Sequence, residues 1–183
     1  EIELASASEY LAQMETHGLI VDRDQRLETI RKQVGTLAEK IGGITPDDPD
    51  LLDEVTDLVE APFALQGTFE EVHLKLPPEV LVSVMKKHQR YFPIVHPDTK
   101  ALMPTFITVS NGIPDDPDLV VRGNEGVVRA RYADAAFFYR EDSQKPLEDH
   151  LPRLDTLTFQ EDLGSVRDKT RRIERLVGNI AED

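Results

Sequence analysis

The chain has 183 residues, of which 39% are hydrophobic and 31% are charged. This composition is typical of a globular protein with one substantial domain, or one small domain and part of another, and it excludes a disordered chain. The absence of cysteine excludes disulfides, zinc–thiolate sites and cysteine nucleophiles. No apolar run is long enough for a membrane span and no signal-peptide pattern opens the chain, so we expect a cytoplasmic protein with no membrane partner.

The formal net charge of −14 is unevenly distributed along the chain. Residues 1–80 contain 18 acidic and 6 basic side chains, whereas residues 81–183 contain 17 and 15. The acidic excess argues against a protein coated in nucleic acid, but the second part can still form a basic surface. Composition alone leaves open the alternative that both parts are merely solvated.

Residues 1–60 carry the signals of a helical segment. A serine at position 6 or 8 can cap a first helix that Gly18 ends. In a second helix, ended by Gly42, apolar residues recur every three or four positions, which is the period of an amphipathic helix. These apolar residues are Leu27, Ile30, Val34, Leu37 and Ile41. The breaker "TPDDPD" follows, and Asp50 can cap a third helix that Pro62 terminates.

Residues 61–122 predict a small α/β core. The stretches "PFALQGTFEEV" and "HLKLP" are interpreted as short strands or extended segments because their apolar residues partly alternate. The stretch "PPEVLVSVMKKHQRYF" predicts a helix with a proline in its first turn. A hairpin follows, with its turn at residues 96–99 and a second strand in which Pro104 requires an edge position or a bulge.

Residues 123–183 predict a second helical segment, with a soft boundary near residues 123–126. After the turn "IPDDPD", a long helix starts at "GNEG", and "LEDHLPRLDTLTF" connects it to a final helix. There, Ser165 is the cap and Asp168 stands in the capping-box position. The chain begins without methionine and its helical pattern still runs at its end, so we interpret it as a piece of a longer protein. The expected fold class is α+β: a small mixed sheet with packed helices, flanked by helical segments.

Motifs for catalysis are absent from the sequence. It contains no G-x-x-x-x-G-K-[ST], no G-x-G-x-x-G and no G-x-S-x-G pattern. The five histidines are scattered, and no pair has the helical spacing that suits one metal ion. Paired carboxylates carry little weight in a chain with 35 acidic residues. We therefore predict no catalytic residue, no metal site and no cofactor within this chain.

A basic cluster beside two aromatic residues is the first candidate for RNA binding. The stretch "MKKHQRYFPI" contains Lys86, Lys87 and Arg90, followed by Tyr91. On a helix, Lys86 and Arg90 point the same way and can hold a phosphate, while Tyr91 offers a ring for base stacking. The alternative is a helix end whose cations face the negative end of the helix dipole and whose aromatic residues lie in the core.

Two further groups of arginines lie later in the chain. Arg122, Arg129 and Arg131 surround the predicted loop "RGNEG", and they join the first cluster as candidate RNA-binding residues. Cationic side chains of this kind contact phosphates, so the resulting affinity for RNA falls as salt rises. The arginines of the final helix are interpreted as a solvated face with partners in Asp168 and Glu174. These arginines are Arg167, Arg171, Arg172 and Arg175.

Five blocks of sequence, in order, resemble one protein family. They are "KKHQRYFPI", "FITVSN", "GNEGVVRARYADAAFF", "KPLED" and "FQEDLGSVRDK". Together they look like the middle of the β subunit of the bacterial, heterotetrameric glycyl-tRNA synthetase, and the likeness covers residues 60–180. One departure is Tyr132, where that family often has leucine.

The resemblance implies a role in charging tRNA(Gly) with glycine. The family uses ATP and Mg²⁺ through a glycyl-adenylate, in a site that belongs to the α subunit. The implied partners are the α subunit, the remainder of the β subunit and tRNA(Gly). The resemblance also implies a B3/B4-like domain over residues 61–122, like that of the phenylalanyl-tRNA synthetase β subunit. Residues 123–183 would begin an HD-like domain.

Two other classes of function stay open at this point, a hydrolase and a spacer. As a hydrolase, the B3/B4-like part could be a vestigial editing domain, or the last part could be an HD phosphohydrolase. We predict no editing, because glycine has no smaller competitor and a pocket without room for a methyl group excludes alanine. The other alternative is a spacer that contacts only protein, its basic groups lying on acidic surfaces of the same subunit. The net charge of −14 fits this alternative well.

Overall fold

A computed structural model describes residues 6–181 of the chain. It confirms the α+β class, since helices are combined with small antiparallel sheets. The described residues form two compact units, the first ending at Ala136 and the second beginning at Phe137. No helix among the described residues is long and apolar enough to cross a membrane.

Three helices open the first unit, as the sequence predicts. They are α1 (Tyr10–Thr16), after a short 3-10 turn, α2 (Arg23–Ile41) and α3 (Pro49–Leu58). The carboxylate of Asp22 caps α2 by accepting from the Gln25 N–H at 2.8 Å, and Gly42 ends it with a φ of +80°. The cap of α3 is Asp48, not Asp50 as expected, because Pro49 takes the first helical position and the Leu51 N–H reaches Asp48 at 3.1 Å.

The sheet of the first unit has three strands, and all of its pairings are antiparallel. The strands are β1 (Pro62–Thr68), β2 (Phe92–Val95) and β3 (Leu102–Asn111), in the spatial order β1-β3-β2. The expectation of a mixed sheet is therefore wrong. The stretch "HLKLP" is also not a strand, because residues Glu71–Lys75 form a 3-10 helix.

Pro104 lies in the central strand rather than at an edge. Between the pairs Pro93–Phe106 and Val95–Leu102 the register of β2 and β3 shifts, and Pro104 falls within this irregularity. A proline has no N–H to donate to a ladder, so the strand accommodates it where regular pairing is interrupted. The Pro104 carbonyl still accepts from the Phe69 N–H at 3.1 Å. Of the two alternatives, the edge position is wrong, and Pro104 lies at an irregularity of the strand pairing.

The sheet is covered by helices on both faces. On one side, Ile107 packs with residues of α2 and α3, and on the other, Phe106 packs with residues of α4 (Pro78–Ser83) and of the long helix α5 (Pro117–Ser143). Both residues are fully buried. Because successive side chains of a strand point to opposite faces, the two neighbours anchor two separate clusters of apolar residues.

Tyr132 fits this core although its position favours leucine in the resembling family. Its ring packs edge-on against Phe69 with centroids 5.0 Å apart, and its hydroxyl donates to the Leu81 carbonyl at 3.3 Å. A buried phenol needs such a partner. Burial raises the pKa of Tyr132 well above its usual value, so the hydroxyl keeps its proton.

Helix α5 begins earlier than the sequence suggests. Its first residue is Pro117, and the carboxylate of Asp116 accepts from the Leu119 N–H at 2.9 Å, as an N-cap does. The expected loop "RGNEG" is therefore wrong, since these residues lie inside the helix. The helix passes without interruption through Gly123 and Gly126, and the first compact unit extends beyond them to Ala136.

The second unit consists of short elements and one amphipathic helix. They are a 3-10 helix (Leu147–Thr156), β4 (Thr158–Gln160), β5 (Gly164–Ser165) and α6 (Val166–Ala181). The capping box at the start of α6 is confirmed: the Asp168 N–H donates to Ser165 Oγ at 3.1 Å, and the Ser165 N–H donates to Asp168 Oδ2 at 2.9 Å. None of these four elements contains a buried residue.

Replacing Gly67 by alanine should destabilise the first unit. A Cβ at this position would overlap the ring of Phe106, which is fully buried and cannot move aside. We expect a loss of about 1–3 kcal/mol in the free energy of unfolding, the usual cost of overpacking. Urea denaturation followed by circular dichroism measures it.

The control for this substitution is Gly35→Ala in the middle of α2. No heavy atom lies within 4 Å of a Cβ placed there, so the variant should gain up to about 1 kcal/mol from helix propensity. Equal stabilities of the two variants would show that the Gly67–Phe106 contact does not constrain the sheet.

The cap of α6 should depend on pH through Asp168. Hydrogen bonds from Ser165 lower the pKa of Asp168 in the folded chain below its unfolded value. The carboxylate therefore stabilises α6 above the unfolded pKa of about 3.9, and the stabilisation is lost as pH falls through the lower folded pKa. Asp168→Ala should reduce the helical chemical shifts of α6 at pH 7, as measured by NMR, and the difference from the unsubstituted chain should vanish in strong acid.

Glu174→Ala is the matched control, because Glu174 is on the same helix but outside the capping box. If Asp168→Ala and Glu174→Ala reduce the helicity of α6 equally at pH 7, negative charge and not the cap stabilises α6.

Candidate nucleic-acid interface

The basic stretch at residues 86–90 lies where a helix widens and ends. After α4, residues Val84–Gln89 form a π-helix, and Arg90 adopts a left-handed conformation with a φ of 56°. Met85 is fully buried, and its carbonyl accepts from the Tyr91 N–H at 3.0 Å, which turns the backbone into β2. Arg90 lies outside the helix, so the expected helical pair of Lys86 and Arg90 does not form.

Two cations of this stretch are bound by carboxylates of α3. The Lys86 ammonium contacts Asp48 Oδ2, an oxygen shut off from solvent, and Arg90 Nε lies 2.9 Å from Glu54 Oε1. Lys87 is exposed, and among the described residues it forms no ion pair. The stretch therefore attaches the end of the π-helix to α3 and leaves Lys87 as its free cation.

Tyr91 belongs to the core. Its ring stacks on Phe106 with centroids 4.7 Å apart and planes 11° apart, and its exposed fraction is only 5%. Its hydroxyl donates to Asn124 Oδ1 at 2.9 Å, and burial raises the pKa of Tyr91. The expectation that this ring is available for base stacking is therefore wrong, and the alternative of a core aromatic is correct.

The three candidate arginines of α5 do not share one face. Arg122 and Arg129 are seven residues apart, nearly two full turns, so they project in similar directions. Arg131 projects from the opposite flank of the buried stripe formed by Val128 and Tyr132, since successive residues turn by about 100°. The arginines expected around one loop are thus distributed over two sides of a helix.

The environments of these arginines also differ. Arg129 Nε lies 2.7 Å from Glu70 Oε1, and this hydrogen bond lowers the pKa of Glu70. The Arg122 side chain is 63% exposed, and its guanidinium lies 4.0 Å from the Asp116 carboxylate. Arg131 is exposed, and within residues 6–181 it has no ion-pair partner. Arg122 and Arg131 can therefore contact an anion without breaking a short ion pair.

The motif "GNE" positions α5 on the sheet, a role that the sequence interpretation missed. Asn124 accepts from Tyr91, and Glu125 Oε1 accepts from both the N–H and the hydroxyl of Thr68, each at 2.8 Å. Their partners lie 33 and 57 residues away, so spacing alone does not identify them.

The described residues offer no evident metal centre. Within residues 6–181, no group of three or more histidine, aspartate or glutamate side chains is placed to hold a metal ion. An open depression of about 630 Å³ lies between α2 and β1, and none of the seven candidate residues lines it. What the candidate residues provide is a set of exposed cations, namely Lys87, Arg122 and Arg131, that can bind phosphate oxygens.

Comparisons with known proteins agree with the resemblance in the sequence. All residues, 1–183, match the family model described as the glycyl-tRNA synthetase beta subunit. The chain is 46% identical over 182 residues to a glycine–tRNA ligase beta subunit of Synechocystis. This match covers 100% of this chain and 25% of that protein. Proteins of the same name from Moorella thermoacetica and Actinobacillus pleuropneumoniae are 46% and 48% identical, over 97% and 99% of this chain and 26% of each relative.

The chain thus spans about a quarter of the length of the curated relatives that it matches. The match nevertheless covers every residue of the chain, including the π-helix, the sheet and α6. The chain belongs to the glycyl-tRNA synthetase β subunit family.

Proposed function

We propose that this chain is a tRNA-contacting structural segment of the β subunit of glycine–tRNA ligase. Its relatives are named for an enzyme that acts on tRNA. The observation that carries the proposal is the presence of exposed cations without short ion pairs, Lys87, Arg122 and Arg131, on a segment whose other candidate cations are bound internally. Such cations bind the RNA backbone and position it without reading its sequence.

In this proposal the catalytic chemistry of the ligase belongs to the α subunit. ATP, Mg²⁺ and glycine would bind to the α subunit, and this segment would contribute no catalytic residue. Its partners would be the α subunit, the remainder of the β subunit and tRNA(Gly), in the cytoplasm. A B3/B4-like domain over residues 61–122 and the start of an HD-like domain over residues 123–183 are part of the same proposal.

One observation favours the alternative of a spacer that contacts only protein. Lys86, Arg90 and Arg129 already pair with carboxylates of this chain, at Asp48, Glu54 and Glu70. A cation held in this way loses its existing partner before it binds a phosphate. The candidate set therefore separates into three paired cations, which support the fold, and three cations that are available to RNA.

Neutralising the available cations should weaken tRNA binding and its dependence on salt. We expect Lys87→Gln/Arg122→Gln/Arg131→Gln in the full-length β subunit, assembled with the α subunit, to bind a glycine tRNA transcript less tightly. If each cation contacts one phosphate, the slope of log K against log salt concentration should fall by about three. Fluorescence anisotropy over a range of salt concentrations measures both quantities.

A matched control removes the same charge from α2. Arg31, Lys32 and Lys40 are exposed, and their replacement by glutamine changes the net charge equally. If both triple variants weaken tRNA binding equally, the effect comes from overall charge and not from specific contacts. Unchanged binding by the test variant would contradict the proposed contacts and favour the spacer.

A further inference from the structure

The final helix concentrates positive charge in an acidic chain. Helix α6 carries five lysine and arginine side chains and two acidic ones, whereas the whole chain has a net charge of −14. Its apolar residues, such as Ile173 and Leu176, lie on the other side. The sequence alone favours a solvated arginine face, but the contacts in the second unit show that its cations are not equivalent.

Three arginines line one open depression in this unit. The depression has a volume of about 570 Å³ and lies between α6 and the turn that precedes it. Arg172 Nη1 donates to the Leu163 carbonyl at 3.0 Å, which fixes this guanidinium against the turn. Arg171 and Arg175 are four residues apart, so their Cα atoms are separated by about 6 Å along the helix and they project over the same surface.

The carboxylate closest to these arginines, that of Asp168, already accepts hydrogen bonds within the capping box. Asp168 Oδ2 accepts from both the N–H and the hydroxyl of Ser165 at 2.9 Å, and Asp168 Oδ1 lies 3.6 Å from Arg171 Nη1. Within residues 6–181, this carboxylate, held in the capping box, forms an ion pair with Arg171 only. Glu174 also lines the depression, but among the described residues Arg175 forms no ion pair with it or with any other carboxylate.

The other two cations of α6 are engaged away from the depression. Arg167 Nη1 lies 3.3 Å from Asp155 Oδ2, and Lys169 Nζ lies 4.3 Å from the centre of the Phe159 ring. The helix thus has one set of cations that hold the second unit together, and another set whose donors are directed to an open concave surface. A guanidinium has five N–H donors, so even Arg172 keeps donors beyond its bond to Leu163.

We propose that Arg171, Arg172 and Arg175 form a binding site for the RNA sugar–phosphate backbone, separate from the cations of the first unit. The proposal rests on the proposed function, which supplies a tRNA as the ligand. Three guanidinium groups around one concavity carry one more charge than its two lining carboxylates can neutralise. They match phosphates repeated along a strand, which arginine binds in a two-pronged geometry. The site would hold RNA regardless of sequence.

The test uses the full-length β subunit assembled with the α subunit and a glycine tRNA transcript as the probe. Arg171→Gln/Arg175→Gln removes two charges and leaves Arg172 on its carbonyl partner. We expect weaker binding in fluorescence anisotropy, with the slope of log K against log salt concentration reduced by about two. The control is Arg167→Gln/Lys169→Gln, which removes the same charge from the same helix at side chains that are already engaged, and it should leave the slope unchanged.

Circular dichroism of both variants checks that α6 is retained. Equal tRNA binding by the test and control variants would overturn the site. If the test variant binds tRNA normally but loses affinity for the α subunit in sedimentation, the arginines contact an acidic protein surface, and the RNA site is likewise overturned.

The outcome separates this inference from the proposed function. If only Lys87→Gln/Arg122→Gln/Arg131→Gln weakens tRNA binding, the proposed contacts of the first unit are supported and the site on α6 is wrong. If only Arg171→Gln/Arg175→Gln weakens tRNA binding, the RNA contacts the second unit, and the proposed contacts of the first unit are wrong. If neither variant binds less tightly, both are wrong.

Discussion

The first unit depends on a sheet of three strands that is buried on both faces. Phe106 and Ile107 are neighbours in the central strand, both fully buried, and they anchor separate clusters of apolar side chains. So small a sheet excludes water from both faces only if helices cover each of them. Helices α2 and α3 cover one face, and α4, the π-helix and α5 cover the other. The close fit of Phe106 over Gly67 shows how little space this arrangement leaves.

The same constraint determines where the basic residues lie. Tyr91 and Phe92 are consecutive, and they enter opposite clusters, so the chain must already be extended when it reaches them. The helix before them therefore ends at Arg90, whose left-handed conformation makes the turn. That turn places Arg90 beside a carboxylate of α3, and Lys86 contacts the cap of α3 from the π-helix before the turn. The cluster that resembles a phosphate-binding helix end is thus largely a consequence of burying two aromatic rings.

Local patterns were sufficient for the elements whose partners are close in sequence. The apolar period of α2 and the Ser165–Asp168 capping box were predicted correctly, because each depends on residues within one or two turns. The central position of β3 was not predicted, and the burial of Tyr91 was only one of two alternatives, because pairing across the sheet decides both. The partner of Lys86 is 38 residues away in the sequence, and no spacing rule specifies such a pair. The motifs identified the family, but not which cations are free.

Net charge is a poor guide to whether this chain can approach RNA. At physiological ionic strength the field of an exposed charge decays over about 8 Å, so the acidic excess of residues 1–80 acts only nearby. What matters is whether the carboxylates beside a given cation are free to neutralise it. Asp48 and Asp168 cap helices and Glu125 holds Thr68, so their hydrogen bonds fix the positions of these negative charges. An acidic chain can therefore present cationic surfaces where its carboxylates accept hydrogen bonds from the backbone, as Asp168 does beside Arg171.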